Sequence, residues 1–164
     1  MLAGKQLLDV GSRLGGVLYG GYLFSSPNLR LVGVEMNGEL ASLQRQLVSE
    51  FALSDRVEVV EADVRQRGDL VSQADVIVLN NVFQFFLPPQ DQLSCWEFLK
   101  AQAKKQAVLV TNPDLATLTG HLKLDFQLDD WVEQVPTETT AAKYAGTNQD
   151  LFQDCSSICL YQVK

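Results

Sequence analysis

Histidine is almost missing from this chain: His121 is the one residue of its kind among 164. It has no companion at metal-ligand spacing, which removes the usual imidazole-centred metal sites. His121 falls near the end of an expected helix, where a cation interacts well with the dipole, so a structural role outweighs one as catalytic base. Cysteine is scarce as well. Cys95, Cys155 and Cys159 make an odd number in a chain without a secretory signal, which reads as reduced thiols and not as a disulfide framework. Cys155 and Cys159 also lack the two-residue gap of common zinc pairs, so no metal is expected. Positive charge is in deficit, with 13 Lys and Arg against 20 Asp and Glu, a net charge of -7 and a pI near 4.6. Such a surface repels DNA or RNA on average, and nucleic acid is a disfavoured partner. No window reaches the run of about 18 apolar residues that crosses a bilayer, and the first residues resemble a strand more than a cleavable signal. An intracellular protein without a membrane contact is expected. Internal repeats, low-complexity tracts and charge blocks are missing too.

What is present suits a covered sheet. Hydrophobic residues make up 46% and charged residues 20%, enough apolar side chain for one continuous core, and residues 1–164 are expected to form a single domain. Short runs rich in Val, Leu and Ile alternate with segments of helical period, the signature of strand–helix–strand units. Strands are predicted at 6–10, 29–35, 57–61, 75–79 and 107–111. A helix is predicted over 38–52, where Leu40, Leu43, Leu47 and Phe51 recur at three- and four-residue steps while Glu39, Gln44, Arg45 and Glu50 face elsewhere. Asn37 is placed to cap it. Further helices are predicted over 17–23, 91–104 and 114–122. Strand-like segments at 131–135 and 158–163 should pair antiparallel at one end of the sheet, joined by a polar surface loop over 137–150. The fold class predicted is α/β: a Rossmann-like, seven-stranded, mostly parallel sheet with helices on both faces and an antiparallel C-terminal strand.

Open α/β sheets bind ligands beyond the carboxyl ends of their strands, so the residues that close each apolar run carry the functional signal. After the first strand comes Asp9-Val10-Gly11-Ser12-Arg13-Leu14-Gly15-Gly16. A glycine turn lets backbone approach a ligand, and the helix start offers free N–H groups to a carboxylate, although such turns also occur in domains that bind nothing. Glu35 closes the second strand, where an acid can accept from both hydroxyls of a ribose. A solvated acid or helix-cap partner is the alternative there. Asp63 follows the third strand, placed to accept from an adenine amine while the Val64 backbone reads the ring. The fourth strand runs into Asn80-Asn81-Val82-Phe83-Gln84-Phe85-Phe86. The Asn80 carbonyl can orient an amine nucleophile, and Asn81 and Phe83 would border the substrate. The phenylalanines would exclude water from an attack that gains from positioning and dehydration, or serve simply as core.

From Leu7 to Asn112 these residues resemble the class I, S-adenosylmethionine-dependent methyltransferase family: an acid and glycine turn, an acid closing strand two and an aspartate closing strand three. That resemblance implies S-adenosyl-L-methionine as cofactor. Asp9, Gly11 and Gly15 would surround its methionine part, Glu35 its ribose, and Asp63 and Val64 its adenine, with Asn80 as the catalytic candidate. Asn80-Asn81 before an aromatic stretch, with Gly11-Ser12 and Gly33-Val34-Glu35, also resembles the histone-lysine methyltransferases of the telomeric-silencing-disruptor type, though their basic DNA-contacting tract is missing. The implied function is methyl transfer to a nucleophile, nitrogen on a protein or small molecule.

Two rivals remain at this level. Members of the resembled family carry helices before strand one that cover the cofactor, so a partner chain or further segment is expected to supply that cover here. A catalytically inactive domain acting as an interaction module is the alternative that this gap and the bulky Arg13 favour. A nicotinamide-dependent dehydrogenase shares the first two features, but its phosphate-binding turn wants glycine where Arg13 stands.

Overall fold

A strand is laid down wherever a short run rich in Val, Leu and Ile ends in small or polar residues, and five such runs form the parallel part of one sheet. In the computed structural model, which describes residues 4–164, these are β1 (Gln6–Val10), β2 (Arg30–Glu35), β3 (Val57–Glu61), β4 (Val76–Asn80) and β5 (Val108–Asn112). They pair in parallel, β1 between β2 and β4, with β3 beyond β2 and β5 beyond β4. The chain then reverses. β7 (Cys159–Val163) runs antiparallel to β5 and takes β6 (Val132–Val135) on its far edge, giving the seven-stranded order β3-β2-β1-β4-β5-β7-β6. The expected seven-stranded, mostly parallel sheet and its antiparallel C-terminal strand are therefore observed. Because the chain winds outward from β1 to β3 and then returns to place β4 on the other side, the switch point lies between β1 and β4.

Alternation along the strands assigns side chains to two layers. Leu31 of β2 packs with Leu18, Leu29, Val48 and Val57 on one face. Val32 and Val34 point the other way, into the larger core with Leu8, Ile77, Trp96 and Leu109. The first face is covered by α1 (Gly16–Phe24) and α2 (Gly38–Glu50), the second by α3 (Gly68–Gln73) and α4 (Pro89–Gln102). Pro89 opens α4 at a position where its missing N–H has no partner to lose. Asn37 caps α2 as expected, its side chain accepting from the N–H groups of Glu39 and Leu40.

Two expectations are corrected. The buried seam of α2 is Ala41, Gln44 and Val48, whereas Leu43 and Phe51 are exposed. A leucine stripe fixes the period of a helix but not its phase. Small Ala41 lets the helix approach the sheet, and Gln44 finds a buried polar partner. The polar segment 137–150, expected as a loop, instead contains α7 (Glu138–Ala145) and the start of α8 (Gln149–Ser156). Between β5 and β6 lie α5 (Leu115–Thr119) and α6 (Leu128–Trp131). Among the described residues no helix is long and apolar enough to cross a membrane.

Candidate functional site

The turn after β1 is built around two backbone positions that favour glycine. Gly11 has a φ of 71°, and a Cβ there would lie 2.6 Å from Val82 Cγ2. Its N–H and that of Ser12 both donate to the Val34 carbonyl, which ties the turn to β2. Gly15 has a φ of 80° and caps α1, with no room for a side chain beside the Tyr19 ring. The helix therefore starts directly behind the turn, where its first N–H groups have no partner within the helix.

A cavity of about 950 Å³ opens over the carboxyl ends of β1, β2, β3 and β4. Asp9, Gly11, Glu35, Asp63, Val64, Asn80, Asn81 and Phe83, singled out from separate stretches of sequence, all line it. Gly15 does not. Expected beside a bound ligand, it sits behind the turn as the helix cap.

Each acid in this cavity has a different environment. Asp9 is 4% exposed. Burial, and next the charge of Glu35, push its carboxyl up to about 7. Glu35 is 5% exposed and accepts two backbone N–H groups, from Arg13 at 2.9 Å and Asn37 at 2.8 Å. It thereby fastens the β1 turn to the start of α2. One hydrogen bond per oxygen leaves each a further lone pair, on a residue that lines the cavity. Asp63 is held by the Arg65 backbone N–H at 2.9 Å and by the Arg65 guanidinium, whose Nη2 lies 2.6 Å from Oδ2. That hydrogen bonding keeps the Asp63 carboxyl below the usual carboxylate range. The remaining guanidinium nitrogen, Nη1, reaches Asp91 of α4 at 2.9 Å.

On the β4 side a polar relay is fixed in direction. Gln84 Nε2 donates to Asn81 Oδ1 at 2.9 Å, and Asn81 Nδ2 donates to Asn80 Oδ1 at 3.2 Å. One lone pair of the Asn80 carbonyl is thus taken, leaving the other and the amide N–H groups. Phe83 borders the cavity but is buried edge-on against Trp96, ring centroids 5.3 Å apart, so it is core as well as wall. Phe85 and Phe86 are exposed at the rim. His121 lies outside the lining, its Nε2 3.0 Å from Gln92 Oε1.

Three residues were not singled out as site members from the sequence. Ser12 and Gln44 join the turn to α2, and no sequence period signals a polar residue at the centre of a helix seam. Arg65 is the third. Its signal was available, since a basic residue two positions after an aspartate that caps a tight turn can fold back onto it.

No family model matches the sequence. An RNA methyltransferase from Salinibacter ruber, solved in complex with S-adenosyl-L-homocysteine, superposes over 99% of this chain and 82% of its own, with a TM-score of 0.60 at 19% identity. The chain has the class I methyltransferase fold. A precorrin-6y C5,15-methyltransferase from Geobacter metallireducens shares that fold over 82% of this chain and 68% of its own, at TM-score 0.59 and 20% identity. In sequence, the carboxy-S-adenosyl-L-methionine synthase of Chromohalobacter salexigens is 32% identical over 108 residues, or 65% of this chain. The chain spans 39% of the length of that curated relative.

Proposed function

We propose that the protein is an S-adenosyl-L-methionine-dependent methyltransferase working as one domain over residues 1–164. The observation that carries this is convergence: a glycine turn and three acids at or just beyond the ends of β1, β2 and β3, Asp9, Glu35 and Asp63, separated by up to 54 positions, border one cavity of about 950 Å³ in the class I methyltransferase fold. Similarity to a carboxy-S-adenosyl-L-methionine synthase, and to a methyltransferase solved with S-adenosyl-L-homocysteine, supports the same reading.

The residues present suit that cofactor. Gly11 keeps the floor of the turn free of a side chain, and the α1 N-terminus and Asp9 offer complementary charge to a carboxylate and an ammonium. Glu35 keeps further lone pairs for two ribose hydroxyls, and Asp63 with the Val64 backbone takes the adenine edge. When bound, the cofactor supplies a methyl group on a positively charged sulfur, which departs as a neutral thioether when a nucleophile takes the carbon. The chain contributes placement. Asn80 accepts an N–H of the acceptor through its free carbonyl lone pair, Asn81 and Gln84 hold that amide in orientation, and Phe83, Phe85 and Phe86 displace water.

The acceptor proposed is nitrogen on a protein or small molecule. The net charge of -7 argues against RNA, because a polyanion would meet repulsion over most of the surface. The test is transfer of a labelled methyl group from S-adenosyl-L-methionine to extract fractions separated by size. A labelled protein or small-molecule acceptor supports the reading. Cofactor binding with no labelled acceptor supports the alternative, an inactive interaction module.

A further inference from the structure

Two acids of the cavity, Asp63 and Glu35, are compensated internally, and its one cationic side chain is not. Asp63 is paired with Arg65, Glu35 is capped by two backbone N–H groups, and Asp9, with its carboxyl at about 7, carries only part of a charge at neutral pH. Arg13 is the exception. Its backbone sits at a φ of 47°, pinned by the bond from its N–H to Glu35, and its guanidinium makes no hydrogen bond or ion pair among the described residues. Instead it lies over the exposed Phe86 ring, with Cζ 5.6 Å from the centroid. Phe85 packs edge-on against Phe86, and Leu14 and Met36 line the same cavity; all three are exposed apolar side chains.

Resting on the methyltransferase reading above, we propose that Arg13 is a specificity-determining residue that selects a small acceptor with an apolar body and one carboxylate. A planar guanidinium with free N–H groups matches a carboxylate in two parallel hydrogen bonds, and stacking on Phe86 holds the fork at the rim while that face of the ring is shared. The apolar neighbours bury the body of such an acceptor and lower the local dielectric around the pair. A phosphate-rich polymer is not selected by the same group, because a single local cation cannot offset a chain carrying -7 overall. A cationic group is disfavoured beside Arg13, so the nucleophilic nitrogen of the acceptor belongs at the Asn80 end and the carboxylate at the Arg13 end. The site thus inverts the charge preference that the acidic composition suggests.

The experiment titrates the full chain, first with S-adenosyl-L-homocysteine and then, at saturation, with phenylacetate and separately with phenethylamine. The two probes share an aromatic body and differ in the sign of the head group. Phenylacetate is expected to bind the loaded protein and phenethylamine to bind at least tenfold more weakly. Arg13→Gln should weaken phenylacetate about tenfold while changing S-adenosyl-L-homocysteine less than twofold, and Arg13→Lys should recover part of the loss. Both variants keep a long side chain at the left-handed position, and their thermal melts report any loss of fold. Equal binding of the two probes, or no binding of phenylacetate to the loaded protein, overturns the proposal. So does an Arg13→Gln variant that loses S-adenosyl-L-homocysteine as strongly as phenylacetate, since Arg13 would then hold the donor's own carboxylate. If the unmodified chain binds no S-adenosyl-L-homocysteine, it is the methyltransferase reading that fails.

Discussion

The Ser12 hydroxyl donates to the Gln44 side-chain carbonyl at 2.9 Å, and both residues are buried. This bond fastens the turn after β1 to the middle of α2, and so fixes the position of the loop that borders the cavity. Gln44 Nε2 is buried without a partner, so the pair is only partly satisfied. Ser12→Ala would orphan the Gln44 carbonyl as well and is expected to destabilise by about 1–3 kcal/mol. Adding Gln44→Leu removes both orphans, and the double variant should melt close to the unmodified protein. Denaturant unfolding of the two single variants and the double variant measures the coupling.

Asp9 makes stability depend on pH. Its folded carboxyl is raised to about 7 from an ordinary 3.8, so between those values the folded state binds more protons than the unfolded one. Stability must therefore fall as pH rises through that window, by at most about 1.4 kcal/mol per pH unit from this group. Asp9→Asn removes the dependence. The variant should melt higher than the unmodified chain at pH 8 and nearly level with it at pH 4. Parallel melting curves of the two proteins across this range would refute the assignment.

Arg65 ties the turn after β3 to α4 through Asp63 and Asp91. Arg65→Met should cost about 1–2 kcal/mol at neutral pH, since the Asp63 pair is only partly exposed and bidentate. Asp63 is held below the usual carboxylate range, so its share of that stability is present above the range and is lost as pH falls through the lowered value. Melts of the two proteins should therefore converge in strong acid. A constant difference at all pH values would assign the effect to packing of the Arg65 stem.

The parallel strands were legible because the central ones bury both faces and read as apolar runs with polar stops, and edge strand β3 still keeps Val57, Val59 and Val60 alongside exposed Glu58 and Glu61; β1 and β3 coincide with their expected bounds, β2 starts one residue later, and β4 and β5 are displaced by one residue as a whole. The convergence at the strand ends followed from topology, which a βαβ pattern determines. The phase of α2 did not, because it depends on which residue reaches a partner across the interior, and that partner, Ser12, is 32 positions away. The helices α7 and α8 were hidden for another reason. α7 buries only Ala141 and Ala145 within a polar stretch, so its apolar face is too small to mark it, whereas α8 does carry a helical pattern in Leu151, Phe152 and Cys155 that the polar surroundings obscured. Arg13 was visible only as a departure from a glycine motif, while its place over Phe86 required the fold.

The central claim is that Glu35, at the end of β2, holds the ribose of an S-adenosyl cofactor in this cavity. Calorimetric titration of the unmodified chain and of Glu35→Gln with S-adenosyl-L-homocysteine tests it directly. Saturable one-site binding, weakened about ten- to a hundredfold in the variant while the fold is retained, is the predicted result. No heat and no thermal stabilisation with the unmodified chain, or equal affinity in the two proteins, would contradict it.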